Sequence, residues 1–167
     1  KKFAFLERPH LGATGLEQEL TYWRRYAQWC GGDSYPIVRK AIDWLVKHLP
    51  KDAPPGLSWG DSRPANIIYQ GAQVVSVLDW DTVSLAGGEA DLAWWTHMEQ
   101  SSTSMRGVRR PAGWGAPSEM LALWQEVSGR RPQFLDWHLV FTAQPQRVIM
   151  VRLPAMLCAS GAITPAQ

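Results

Sequence analysis

Apolar residues recur along most of this chain at helical spacing, interrupted in the middle by a stretch whose pattern is that of short strands. Leu16, Leu20, Trp23, Ala27 and Cys30 fall at three- and four-residue steps, which predicts a helix with one buried face, stopped by Gly31-Gly32. Ile37, Val38, Ala41, Ile42, Leu45, Val46 and Leu49 repeat that period before Pro50, with Ser34 as the expected cap and Pro36 in the first turn. Lys51 to Gly56 reads as a loop. Beyond the interruption, Thr82 to Gly88 reads as a loop and Glu89 to about Gln100 as a helix bearing Trp94 and Trp95. Ser118 is the expected cap of a helix over Glu119 to Ser128 that ends at Gly129. A last helical pattern runs from about Leu135 to Leu153, with a break or kink expected at Pro145, whose ring removes a backbone hydrogen bond.

The interruption is Leu57 to Asp81. Val74 to Leu78 is a β-branched run, and with the apolar segment before Gln70-Gly71 it predicts a hairpin with a tight turn at those two residues. Asp61 and Asn66 precede the hairpin on a loop that Gly60 and Pro64 keep from regular helix, and Asp79 ends the second strand. The hairpin brings the three polar side chains to one end. Those residue types suit phosphoryl transfer, which needs a carboxylate to orient the attacking hydroxyl and hard oxygen ligands for Mg²⁺. Asp61 fits the first role, and Asn66 and Asp79 fit the second. Arg63 places a fork of donors within reach of a transferring phosphoryl oxygen.

Trp-Gly-Asp-Ser-Arg-Pro-Ala-Asn at 59–66, Val-Leu-Asp-Trp-Asp at 77–81 and Glu-Ala-Asp-Leu-Ala at 89–93 together resemble the catalytic core of the aminoglycoside phosphotransferase and choline kinase-like family, of protein kinase-like fold. Within it, the stretch is similar to the branch that includes kinase-like domains fused to some acyl-CoA dehydrogenases. The resemblance implies Asp61 as catalytic base, Asn66 and Asp79 as Mg²⁺ ligands, and Asp91 as a structural acid at a helix start. Trp59 stands where most members carry His, a residue that supports the loop; an indole packs there and donates one hydrogen bond. Taken singly, an Asp or Asn in a Gly/Pro loop is usually a turn former, and Asp79 a strand-end cap. The joint spacing reverses that preference.

Other positions keep two readings. Asp81 either faces the substrate or binds the backbone of the next loop. Arg63 is catalytic or makes a surface ion pair of little worth. Asp91, just before Leu92, suits a helix first turn, where a carboxylate meets unpaired amides. Adjacent Trp94 and Trp95 cannot share a helix face, so either one lines the substrate cleft or both pack against neighbouring helices. Ser101 to Pro117 is a mobile loop over the site or, the favoured reading, a solvated connection.

Composition narrows the class. With 167 residues, 46% hydrophobic and 19% charged, the chain suffices for one domain with a real core. A net charge of +2 and dispersed arginines give no basis for nucleic acid binding. Cys30 and Cys158 form no disulfide framework, and His10, His48, His97 and His138 have no zinc spacing. No signal peptide is recognisable, and the apolar C-terminal stretch is cut by Arg152 and Pro154, which together point to a cytoplasmic protein away from membranes.

The expected fold class is α+β, mainly helical: the C-terminal lobe of a protein kinase-like fold with a small catalytic β-hairpin. The resemblance makes the strand-like segment Phe3 to Glu7 the hinge to a small nucleotide-holding lobe that is absent here, so residues 1–167 are expected to be a fragment with little activity alone. The expected reaction passes the γ-phosphoryl group of ATP or GTP to the hydroxyl of a small substrate, with Mg²⁺ as cofactor. The alternative is a catalytically silent kinase-like binding or regulatory domain. Neither the acceptor nor an oligomeric state is legible.

Overall fold

The computed structural model describes residues 2–103, 107–110 and 112–164. Thr14 opens helix α1 (Gly15–Trp29) by accepting from the Glu17 amide at 3.1 Å, while the Glu17 carboxylate accepts from the Ala13 amide at 2.7 Å. Two otherwise orphaned amides are thus satisfied reciprocally. Left-handed Gly31 follows the Cys30 cap, as the glycine pair predicts. Helix α2 (Pro36–Lys47) has Pro36 at its first position, but Ser34 does not cap it. The Ser34 hydroxyl donates to the Gly31 carbonyl at 2.7 Å and the cap position falls on Tyr35, because Gly32–Ser34 forms its own 3₁₀ turn.

Strands β1 (Ile67–Gln70) and β2 (Gln73–Val77) form an antiparallel hairpin, pairing Ile67 with Val77 and Gln70 with Gln73. The turn is therefore Gly71-Ala72, one residue later than expected, with Gly71 at φ +60° supplying the left-handed step. A register shift after Ile68 bulges the second strand.

Helices α3 (Gly88–Ser102), α4 (Pro117–Ser128) and α5 (Leu135–Ala159) complete the described fold. Ser118 lies inside α4. The start belongs to Pro117, and Glu119 satisfies the Ala116 amide at 2.6 Å; left-handed Gly129 ends the helix as expected. Helix α5 runs unbroken through Pro145 and on through Pro154, where a break and an end near Leu153 were expected. One proline forfeits one helical hydrogen bond, whereas Trp137, Phe141 and Val148 on the same face are buried against α1 and α2. Packing outweighs the local loss.

Phe3 to Glu7 is not a strand. Ala4–Leu6 is a 3₁₀ turn, and no described strand lies beside it to receive the hydrogen bonds an extended segment would need.

The core sits where α1, α2 and α5 meet the segment entering α3: Leu16, Leu20, Leu45, Ala86, Ala90, Trp137 and Phe141. Trp137 is locked there by its indole N–H, which donates to the Leu45 carbonyl at 3.1 Å. The fold is thus mainly helical with one two-stranded sheet, and no helix among the described residues is long and apolar enough to cross a membrane.

Candidate active site

The loop from Gly56 to Asn66 is fastened at several levels before any catalytic role is considered. Ser58 and Ser84 exchange backbone hydrogen bonds at 2.9 and 3.0 Å, and Gly87 donates to Gly56 at 3.0 Å. Asp91, in the first turn of α3, then gathers the loop itself. Its carboxylate accepts from the Ser58 hydroxyl at 3.0 Å and from the Trp59 and Gly60 amides, each at 2.8 Å. The Asp91 carbonyl also accepts from the Ser62 hydroxyl at 2.8 Å. Asp91, expected as a structural acid, therefore serves this loop, not the amides of its own helix. Burial pushes its carboxyl above the ordinary value, against those three donors.

Gly60 has φ +98°, and a Cβ there would lie 2.3 Å from Thr82 Oγ1 and 2.5 Å from the Thr82 carbonyl oxygen. Glycine is required both by the backbone angle and by the close approach of the second loop.

Trp59 binds the loop to the hairpin. Its indole N–H donates to the carbonyls of Leu78, at 2.8 Å, and Asp79, at 3.1 Å, while its ring lies 6.0 Å from that of Trp80. A single donor is thus shared by two carbonyls at the end of the hairpin. A further tie runs from the Leu78 amide to the Asn66 carbonyl, at 2.8 Å.

These ties set Asp61 in a dense field of donors. Its Oδ1 accepts from the Trp94 indole at 2.8 Å, and its Oδ2 accepts from Asn66 Nδ2 at 2.7 Å. Arg63 Nε pairs with Oδ2 at 2.8 Å, at an angle too bent for a hydrogen bond. Asn66 is buried and spends its Nδ2 on Asp61, which leaves its Oδ1 over. Asp79 is exposed, adopts a left-handed φ of 59°, and its carboxylate has no hydrogen bond or ion pair among the described residues. Asp tolerates that conformation better than a β-branched residue, and the turn redirects the chain at the strand end.

Asp61, Arg63, Asp79 and Trp94 line one cavity of about 380 Å³, which continues along α1 and α5. Asn66 stands behind Asp61. Asp81 is exposed, does not line this cavity and makes no side-chain hydrogen bond or ion pair among the described residues. Trp95 lies on another face of α3, stacked on Trp114 with ring centroids 6.1 Å apart, and also lies outside the cavity. Of the segment Ser101 to Pro117, read as a solvated connection or a loop over the site, Ser101 and Ser102 belong to α3, and Ser104, Met105, Arg106 and Pro111 lie outside the described residues. Its described remainder packs on α3 through Trp114 and through an Arg110–Glu99 ion pair of 2.7 Å.

Some contributors carry no sequence signal. The Trp94 hydrogen bond and the closeness of Thr82 to Gly60 join positions far apart in the chain. So do the cavity residues of α5.

The leftover donors suit a magnesium ion. An amide oxygen and one free carboxylate match an ion that usually takes one or two carboxylates and fills its remaining positions with water and phosphate oxygens.

Residues 2–129 match the phosphotransferase enzyme family, and the chain belongs to that family. It is 31% identical over 81 residues to mouse (Mus musculus) acyl-CoA dehydrogenase family member 10, a match covering 47% of this chain and 8% of that protein. Its fold is similar to the crystal structure of a candidate aminoglycoside phosphotransferase from Ralstonia eutropha JMP134, with a TM-score of 0.69 and 21% identity. That likeness covers 95% of this chain and 51% of the other. The chain thus spans about half of the solved relative and a small part of the mouse protein.

Proposed function

We propose that this chain is the catalytic and acceptor-binding lobe of a small-molecule kinase that passes the γ-phosphoryl group of ATP or GTP to a substrate hydroxyl. The observation that carries the reading is the convergence on one cavity of a fixed carboxylate, Asp61, and a free one, Asp79, with Asn66 between loop and hairpin. Asp61 orients the acceptor hydroxyl and takes its proton as the oxygen attacks phosphorus, while the bond to the leaving diphosphate breaks. A carboxylate has lone pairs beyond those used by Trp94 and Asn66, so the acceptor can join the existing bonds. Asn66 and Asp79 would hold Mg²⁺, whose charge offsets that of the phosphates when it is bound.

Arg63 lines the cavity beside Asp61; in this reading its guanidinium turns from Asp61 to pair with the phosphoryl oxygens once the nucleotide is in place. The remaining nucleotide contacts belong to a small lobe outside these 167 residues, a proposal supported by the 51% share of the solved relative, and residues 1–167 alone are expected to turn over little.

The test is Mg²⁺-dependent nucleotide consumption by the full-length protein over a panel of hydroxyl compounds, with Asp61→Ala as the paired control. Loss of the acceptor-stimulated rate by about 10²–10⁴-fold is expected. Equal rates in the two proteins would remove Asp61 from the chemistry. Nucleotide binding without turnover would instead favour the silent binding domain, which the engagement of both Asp61 oxygens in this structure allows.

A further inference from the structure

Beyond Asp61 the cavity is walled by Trp23 of α1, Trp94 and Met98 of α3, and Phe141, Ile149 and Met150 of α5. Ile149 and Met150 are 39% and 51% exposed, so apolar surface is presented at the mouth as well as within. The carboxylate and hydroxyl on these walls are already engaged, and so is the carbonyl oxygen of the Gln146 side chain. Glu19 is ion-paired to Arg8 and accepts from the Trp23 indole at 3.2 Å; burial also pushes its carboxyl above the ordinary value. Gln146 Oε1 meets His97 Nε2, and the Thr142 hydroxyl donates back to the Leu139 carbonyl at 3.0 Å. Among the described residues, Asp79 is the one carboxylate left free on this cavity, at the end where the proposed phosphates lie.

A polycationic acceptor needs carboxylates that can pair with its ammonium groups, because an ammonium ion taken from water without a partner is strongly disfavoured. The far wall supplies only Glu19, which is already paired with Arg8. An apolar body needs only area and shape, and methionine at two of the six wall positions adapts to irregular outlines. A space of about 380 Å³ also lies at the small end of the usual range for small-molecule sites, roughly 300–1,000 Å³.

Resting on the phosphotransferase reading, we infer that the acceptor is an alcohol with an uncharged, apolar body, which lies between α1 and α5 with its hydroxyl against Asp61. The product is its phosphate monoester. The acceptor oxygen forms the new bond to phosphorus, the bond to the nucleoside diphosphate breaks, and the hydroxyl proton goes to Asp61.

The experiment compares kcat/KM of the full-length protein for 2-octanol and cyclohexanol with that for kanamycin and choline at saturating Mg²⁺-nucleotide, detecting the phosphate ester by mass. The apolar alcohols are expected to lead by tenfold or more. Met150→Lys, at an exposed position that tolerates charge without unfolding, is expected to lower their kcat/KM at least fivefold. A lead for kanamycin or choline would overturn the inference and leave the kinase reading standing. Should no acceptor be phosphorylated, the kinase reading falls, and the apolar site is judged by binding of 10-bromo-1-decanol. Its bromine would quench tryptophan fluorescence through Trp23 and Trp94, and the quenching would weaken in Met150→Lys. No quenching, or quenching unchanged in the variant, overturns the inference.

Discussion

Trp94 presents its indole N–H to Asp61 Oδ1 at 2.8 Å, and the rest of the ring walls the cavity in front of it. One side chain thereby orients the proposed base and shapes the space in front of it. A hydrogen bond to a charged group is worth about 1.5–3 kcal/mol. Trp94→Phe keeps an aromatic wall and removes only the donor, so kcat is expected to fall roughly ten- to a hundredfold by steady-state kinetics, with KM for nucleotide unchanged. Trp59 differs in kind. Its indole reaches only backbone carbonyls, Leu78 and Asp79, so its contribution is to the angle between loop and hairpin.

At the scale of elements, the loop from Gly56 to Asn66 owes its shape to the first turn of α3. Asp91 meets the Ser58 hydroxyl and the Trp59 and Gly60 amides together, and Gly60 in turn makes room for Thr82. Asp91→Ala would strand those donors in a part-buried site. The expected cost is about 3 kcal/mol in urea unfolding, with loss of turnover well beyond what that cost alone would produce. An unchanged unfolding midpoint would mean that the loop holds its shape by the Ser58–Ser84 pairing alone.

Across the whole molecule, α5 is the seam against which α1, α2 and α3 pack, and it buries ionisable groups with that seam. His138 is fully buried, its Nδ1 has no hydrogen-bond partner among the described residues, and burial holds its pKa down at about 4, against an upward pull from Glu89. Because the folded chain resists this proton and the unfolded chain takes it near pH 6.5, stability is complete above that pH and declines as pH falls towards 4. The decline amounts to about 3 kcal/mol. His138→Phe is expected to flatten the urea-midpoint profile over that window. Burial also pushes the Glu89 carboxyl up, but hydrogen bonds from Arg130 and the Gln133 amide, with the Arg130 charge, hold it below the ordinary value. Its share of stability is present above pH 4.5 and disappears as pH drops below that, so the variant should still lose stability at the acid end.

The linear pattern determined most of the elements of this protein and the loop on which the proposed site is built. Helical spacing located α1 to α4 to within a few residues, a β-branched run beside glycine located the hairpin, and the spacing of Asp61, Asn66 and Asp79 marked the loop on which the site is built. These are local properties, since period and turn chemistry act between residues a few positions apart. Tertiary structure decided the rest. It carried α5 through two prolines, because burial along one face exceeds the loss of single backbone bonds. It made Ala4–Leu6 a turn for want of a neighbouring strand. It also chose Trp94 over Trp95 for the cavity and aimed Asp91 at the loop, since those contacts join residues some 30 positions apart, where spacing along the chain carries no information.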